Sequence, residues 1–296
     1  MSLEVVAAGP LTTVQDEGRT GYASWGVPRS GACDRAAYRL GLRLLGNVPG
    51  TASLEVTLGG LVVRAVGPVL VAVTGARCPG APWNAPVHLA PGQVLRLGAP
   101  TQGLRSYLAV RGGVDVPPVL GSRSTCTLSG LGPARVCDGD VLAVGSTSTV
   151  MPGVDEAPVP GPTGGTVVLD VEPGPRRDRF DDDGWRRLLD APWTVGTDSD
   201  RVGVRLVGDR LEPAAGWRGV ELPSEGVLRG AVQVPPSGEP VVLLADCPVT
   251  GGYPVLAYLR DPVRDSAVDR LAQARPGQQV RLRAPGSRPE ESWRRV

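Results

Sequence analysis

Gly230-Ala231-Val232-Gln233-Val234-Pro235-Pro236-Ser237-Gly238-Glu239-Pro240 runs on through Val241-Val242-Leu243-Leu244-Ala245-Asp246 to Thr250-Gly251-Gly252-Tyr253-Pro254. One strongly apolar strand is flanked by two turn-rich, polar loops, a pattern that predicts Gln233, Ser237, Asp246, Thr250 and Tyr253 at one edge of a sheet. Val234-Pro235-Pro236-Ser237-Gly238 has a twin far upstream, Val27-Pro28-Arg29-Ser30-Gly31. Other landmarks recur in the same order: Asp16, Arg19 and Gly21 answer Asp200, Arg201 and Gly203, and Val73-Thr74-Gly75 answers Val249-Thr250-Gly251. The closing stretch Pro91-Gly92-Gln93-Val94-Leu95-Arg96-Leu97 answers Pro276-Gly277-Gln278-Gln279-Val280-Arg281-Leu282. A shared order of four landmarks implies two related β domains.

Short apolar segments at 54–58, 61–63, 69–73 and 94–97 are each bounded by Gly or Pro and point to a closed or sandwiched β architecture. Residues 1–150 are read as the first domain, with 101–150 an elaboration of it. The Pro- and Gly-rich stretch 151–166 is read as a linker and 167–296 as the second domain. Few helices are expected. One starts at Asp34 as N-cap, with Ala37, Leu40 and Leu44 on its apolar face and Arg35, Arg39 and Arg43 on another, read as a solvated face with a docking surface for an acidic partner as the alternative. The others run from Asp181 to Leu189, and from a cap at Asp265 or Ser266 to Ala274. Glu55 stands either on the solvent face of its strand or in a pocket, and the solvent face is the expectation.

Composition sets limits. With 41 Gly, 30 Pro and 4% aromatic residues among 296, the chain is one of many turns and short strands, yet 41% hydrophobic content supplies core material. A net charge of +1 gives no reason to expect nucleic acid or a membrane surface as partner. There is no lysine, which excludes Schiff-base chemistry and a lysine-bearing phosphate loop. One His and five scattered Cys offer no zinc-ligand spacing, so no metal site is expected. The odd cysteine count and the absence of a leader pattern lead us to expect a cytoplasmic protein with reduced thiols.

Two loops carry chemistry-bearing residues. Asp16 and Arg19 stand among glycines, where backbone can approach a ligand closely; a ligand-facing pair and an ion pair pinning a turn are both open. Gly121-Ser122-Arg123-Ser124-Thr125 offers hydroxyls and an arginine suited to an anion, or simply a turn.

Thr13-Val14-Gln15-Asp16-x-Gly18-Arg19-x-Gly21, Gly26-Val27-Pro28-x-Ser30-Gly31-Ala32-x-Asp34, Gly121-Ser122-Arg123-Ser124-Thr125, Ser199-Asp200-Arg201-x-Gly203-x-Arg205-Leu206 and the stretch ending Thr250-Gly251-Gly252-Tyr253-Pro254 together resemble the allophanate-hydrolase-subunit-2-like family. That family includes the C subunit of bacterial ATP-dependent 5-oxoprolinase and the KipA antagonist of a kinase inhibitor, and its members are also labelled biotin-dependent carboxyltransferases. Pro248-Val249 replaces the Gln-Thr frequent in the family, and Gly41 stands where Asn is common. The resemblance implies a mainly β chain of two cyclophilin-like β-barrel domains. It also implies a hetero-oligomer, with a KipI-like B subunit for its direct partner and an A subunit for full activity. It implies ATP, with Mg, at the level of the complex, and opening of 5-oxo-L-proline to L-glutamate. Two alternatives remain: a carboxyltransferase-type component that acts on urea or a related small amide, with biotin delivered on a carrier, and a KipA-like regulatory binding protein without chemistry.

ATP-coupled amide opening needs the amide oxygen activated and negative charge held by donors, which arginines can supply. The expected assignment has Asp16, Arg19, Asp200, Arg201 and Asp246 as catalytic residues, the arginines holding anions and the carboxylates orienting them. Ser30, Arg123, Gln233, Ser237, Thr250 and Tyr253 would bind a small-molecule substrate. The same residues would equally serve an interface between domains or between partner proteins.

Overall fold

The structure, a computed structural model, describes residues 1–262 and 266–284. Its N-terminal half contains β1 (Ser2–Ala8), β2 (Leu11–Gln15), α1 (Arg35–Leu44), β3 (Ser53–Thr57), β4 (Leu61–Ala65), β5 (Val69–Gly75), β6 (Pro86–Leu89), β7 (Val94–Arg96), β8 (Arg105–Val110) and β9 (Val141–Ala143). These strands form two antiparallel sheets, in the orders β7-β4-β1-β9 and β2-β3-β8-β5-β6. Along β1, Leu3 and Val5 point inward between less buried Glu4 and Val6, the alternation of a strand with one covered face. They meet Leu54, Val56, Val71 and Leu108 of the other sheet in one core.

Beyond the coil at 151–166 come β10 (Val167–Pro173), α2 (Asp182–Asp190), β11 (Trp193–Val195), β12 (Gly203–Val207), β13 (Glu225–Gly226), β14 (Ala231–Gln233), β15 (Val241–Leu243), β16 (Thr250–Gly251), β17 (Val255–Leu259), α3 (Ala267–Ala272) and β18 (Gln279–Arg283). Seven of these strands close into a barrel, β10-β17-β14-β15-β12-β11-β18, joined by the parallel pair β10/β18. The wholly buried Trp193 belongs to its core and donates its indole N–H to the Leu188 carbonyl (2.9 Å). The chain is therefore mainly β with short helices, as expected. β8 lies between β3 and β5, so the stretch read as an elaboration includes a central strand of the first half.

Caps set the helices. Asp34 accepts the Ala37 N–H (2.9 Å), and Asp181 and Ser266 cap α2 and α3 in the same way. α3 ends at Ala272, two residues before the expected stop; the alternative cap Asp265 lies outside the described residues. The arginine row of α1 is not uniformly solvated. Arg39 makes a bidentate pair with Glu17 (2.8 and 2.7 Å), and Arg35 approaches Asp261 (3.8 Å), leaving Arg43 exposed at the end of the helix.

α3 belongs in sequence to the barrel but bolts onto the N-terminal half. Asp269 accepts the first-turn N–H groups of Arg35 and Ala36 (both 3.1 Å), a carboxylate at the positive end of α1. Gln273 makes four bonds: its oxygen accepts from Leu104 N and Arg105 N (3.0 and 2.9 Å), while its nitrogen donates to Asp34 Oδ2 and the Arg105 carbonyl (2.7 and 2.9 Å). A truncated side chain would leave these buried groups unmet. Gln273→Ala is expected to cost roughly 3 kcal/mol in urea unfolding and to lower hydrogen-exchange protection at Leu104 and Arg105 before barrel amides; unchanged protection there would refute the bolt.

Candidate functional site

Of the predicted residues, Arg201, Asp246 and Ser30 gather where the two halves meet. Arg201, 1% exposed, follows an Asx turn in which Asp200 Oδ1 accepts from Val202 N and Gly203 N (2.7 and 3.1 Å). All five of its N–H donors are taken. Nε and Nη2 fork onto Asp246 (3.0 and 3.1 Å), Nη2 also reaches the Gly31 carbonyl (2.7 Å), and Nη1 bonds Glu55 and the Cys33 sulfur (3.3 Å). Glu55 is buried rather than solvent-facing, because β3 is covered on both faces. Its other oxygen accepts from Tyr107 Oη (2.8 Å) and Cys33 N (2.9 Å), and Arg105 stands 3.6 Å away. Two guanidinium groups thus face two carboxylates in a neutral set.

Burial acts to raise the Glu55 and Asp246 carboxyls, but the neighbouring Arg201 charge outweighs it and both lie below their ordinary range. Burial pushes the Cys33 thiol up to about 11, so it stays protonated. Asp246 also accepts from Ser30 Oγ (2.6 Å) and from Thr127 N and Oγ1 (2.7 and 2.8 Å). Ser30 holds a left-handed φ of 57°.

A second buried knot adjoins it through residues 122–127. Asp16 accepts from Gly18 N (2.8 Å), Ser122 Oγ (2.7 Å), Ser124 Oγ and Arg123 N (2.6 Å). Arg19, 2% exposed, donates to the Val119 carbonyl (3.2 Å) and to that of Ser124, while its Nη1 has no partner among the described residues. Asp16 and Arg19 thus serve different groups rather than each other. Arg123 is partly exposed, its Nε on the Val116 carbonyl (2.7 Å) and its guanidinium 3.5 Å from Asp115.

Of the other predicted residues, Gln233 is buried and donates to the Tyr253 carbonyl (3.2 Å), and Thr250 and Tyr253 are exposed. Ser237 does not join them. It is exposed in the β14–β15 hairpin, capping Glu239 N (3.4 Å), at the opposite end of β15 from Asp246. A strand advances about 3.3 Å per residue, so its two flanking loops cannot share one edge. Sequence reading missed Cys33, Arg105, Tyr107 and Thr127, which carry no local motif and matter only through contacts made across the halves.

The knots support three loops, 22–30, 126–131 and 247–253, which meet at an open cleft of about 430 Å³ walled by Ser24, Pro28, Leu128, Ser129, Val249 and Thr250 among others. Trp25 (73% exposed), Leu128 and Tyr253 (48% each) stand on these loops. The cleft wall offers hydroxyls, backbone and apolar surface but no charged side chain among the described residues.

The chain is thus mainly β, its two halves locked by paired Arg and Asp/Glu beneath loops that meet at a cleft. Residues 25–284 match the family described as "Carboxyltransferase domain, subdomain A and B", and the chain belongs to that family. It is 38% identical to the C subunit of 5-oxoprolinase from Escherichia coli (strain K12) over 271 residues, covering 87% of this chain and 84% of that protein. Among solved structures it is similar to TTHA0988 (TM-score 0.83, 35% identity, 95% of this chain) and to the K. lactis urea amidolyase (TM-score 0.85, 30% identity, 95% of this chain). It spans 55% of the former chain and 18% of the latter.

Two outcomes test the electrostatics. Arg201→Lys offers one ammonium where a five-donor fork is used, so it should destabilise the chain by about 3 kcal/mol or more in thermal or urea unfolding; a near-native melting temperature would show the lock to be dispensable. Burial and the charge of Asp269 push the Asp34 carboxyl up to about 7 from its ordinary 3.8. Between those values the folded state holds the proton more tightly than the unfolded one, so this group's contribution to stability falls as pH rises across the window. Asp34→Asn should flatten that slope, whatever its effect on absolute stability; an unaltered pH profile of the urea midpoint would rule the assignment out.

Proposed function

We propose that the chain fills the C-subunit role in an ATP-dependent 5-oxoprolinase, opening 5-oxo-L-proline to L-glutamate together with the A and B subunits. The observation that carries this reading is the cleft itself. Two of its three loops carry family motifs, yet its walls carry no charge among the described residues, and the Arg201 guanidinium and the carboxylates beneath are committed to one another. Phosphate transfer to a lactam oxygen needs charge at the reacting atoms. That charge, and ATP with its Mg, would therefore come from a partner seated over the cleft, with exposed Trp25, Leu128 and Tyr253 as its apolar contacts.

On this reading Arg201, Asp246, Asp16 and Arg19 are positioning residues that hold the loops, and Thr250 with the Ser24 and Ser129 hydroxyls meets the substrate. The name of the E. coli relative supports a role inside a larger complex. The family description and the likeness to the K. lactis urea amidolyase support a second reading, carboxyl transfer from carrier-borne biotin to a small amide.

Glutamate formation from 5-oxoproline and ATP should appear only when the chain is combined with the A and B subunits. Trp25→Ala should weaken binding to the B subunit roughly ten-fold or more without moving the melting temperature. Turnover by the chain alone, or undiminished association, would refute the shared cleft. Activity that appears only with a biotinylated carrier and is abolished by avidin would establish the second reading instead.

A further inference from the structure

One carboxylate of the barrel half fastens two loops of the other half. Asp246 Oδ1 accepts from Ser30 Oγ (2.6 Å), at the end of the 22–30 loop. Oδ2 accepts from both the N–H and the hydroxyl of Thr127 (2.7 and 2.8 Å), near the start of the 126–131 loop. Arg201 forks onto the same two oxygens, so the acceptor is an anion and the bonds from Thr127 are charge-assisted. Asp246 is fully buried and Thr127 is exposed, which makes Thr127 the point where a surface loop is tied to buried charge.

The rest of that loop is tied only to itself. Cys126 N–H donates to the Leu131 carbonyl (2.9 Å), Gly130 N–H to the Cys126 carbonyl (3.0 Å) and Leu131 N–H to Ser129 Oγ (3.4 Å). Among the described residues, the hydrogen bonds that leave 126–131 are the two made by Thr127. Leu128, 48% exposed, adds little packing, so the loop takes its position from its anchor. Two donors of one residue on one oxygen fix the Thr127 side chain as well as its backbone; with the N–H alone the loop would turn about a single bond.

The anchor joins two walls of the loop cleft. Leu128 and Ser129, the next residues after Thr127, line it on one side, and Val249 and Thr250, three and four residues past Asp246, line it on the other. We propose, on the C-subunit reading given above, that Thr127 is a positioning residue for the reaction. Through Asp246 its hydroxyl sets the Ser129 hydroxyl against that of Thr250, so that one small substrate meets both. Thr127 touches no reacting atom; it acts through Ser129.

Thr127→Val keeps the shape of the side chain and the backbone bond but removes the hydroxyl, whereas Thr127→Ser keeps the hydroxyl. With the chain assembled with the A and B subunits, Thr127→Val is expected to raise KM for 5-oxoproline roughly ten-fold and to change kcat less, and Thr127→Ser to restore both. In a Ser129→Ala background Thr127→Val should add little, because the residue it positions is already gone. In the chain alone, amide exchange at Gly130 and Leu131 should quicken in Thr127→Val and not in Thr127→Ser, with Val204 of β12 unchanged. Should Thr127→Val not fold, Thr127→Ala removes the same hydroxyl. No turnover by the unmutated complex would remove this role together with the reading beneath it. Turnover with KM unchanged in Thr127→Val, full additivity with Ser129→Ala, or equal exchange in all three chains would overturn the role alone.

Discussion

Arg201 holds the molecule together. Its guanidinium bridges Asp246 of its own half to Glu55, Cys33 and the Gly31 carbonyl of the other, with no N–H left over. Removing two carboxylates and a guanidinium from water is expensive, and only a geometry that satisfies every lone pair and proton offsets it. Glu55 and Asp246 meet that condition by accepting from Tyr107, Cys33, Ser30 and Thr127 as well as from arginine. The arrangement contributes specificity of docking more than stability: a small displacement of the halves would strand a buried charge.

The loops inherit that rigidity. Ser30, Thr127 and Cys247 stand at the roots of the three cleft-forming loops, and Asp246 touches or adjoins each of them. Loops this rich in Gly and Pro have few apolar contacts of their own, so their shape depends on what anchors their ends. Motif residues that look like a reaction centre in sequence therefore lie one layer beneath the cleft wall. A tightly paired ion network is ill-suited to exchanging partners with a substrate, and well suited to fixing where hydroxyls and backbone are presented.

Much of the fold was legible in the sequence. The positions of the strands and of the three helices, the Asp34 cap and the coil at 151–166 follow from local rules of periodicity, capping and turn chemistry, which do not depend on distant contacts, whereas the Asp181 cap and the choice of Ser266 appear only in the structure. The family membership was legible too, through motifs spread along the chain. What failed was placement that depends on the second half being present. Glu55 alternates as a solvent-face residue would, but β3 has no solvent face. Ser30 and Ser237 share a motif yet diverge, one buried on Asp246 and the other exposed in a hairpin, because the first precedes a helix and the second turns between two strands.

The lack of lysine has a structural consequence. Several arginines hold carbonyls of distant segments: Arg105 reaches the carbonyls of Ala272 and Asp200, Arg111 those of Leu45 and Thr149, and Arg19 those of Val119 and Ser124. An ammonium has three donors on one atom and is strongly hydrated, whereas a planar fork serves two or three chain segments at once and gives up water more readily. In a chain with few aromatics and many irregular loops, such forks tie together backbone that no apolar cluster reaches. Arg19 goes furthest in this direction, a buried cation holding carbonyls while one nitrogen has no partner among the described residues. Its hydrogen bonds are all to backbone carbonyls, so the packing of the 119–124 loop over it must be maintained by the neighbouring Asp16 knot, and the two motif residues support each other without a bond between them.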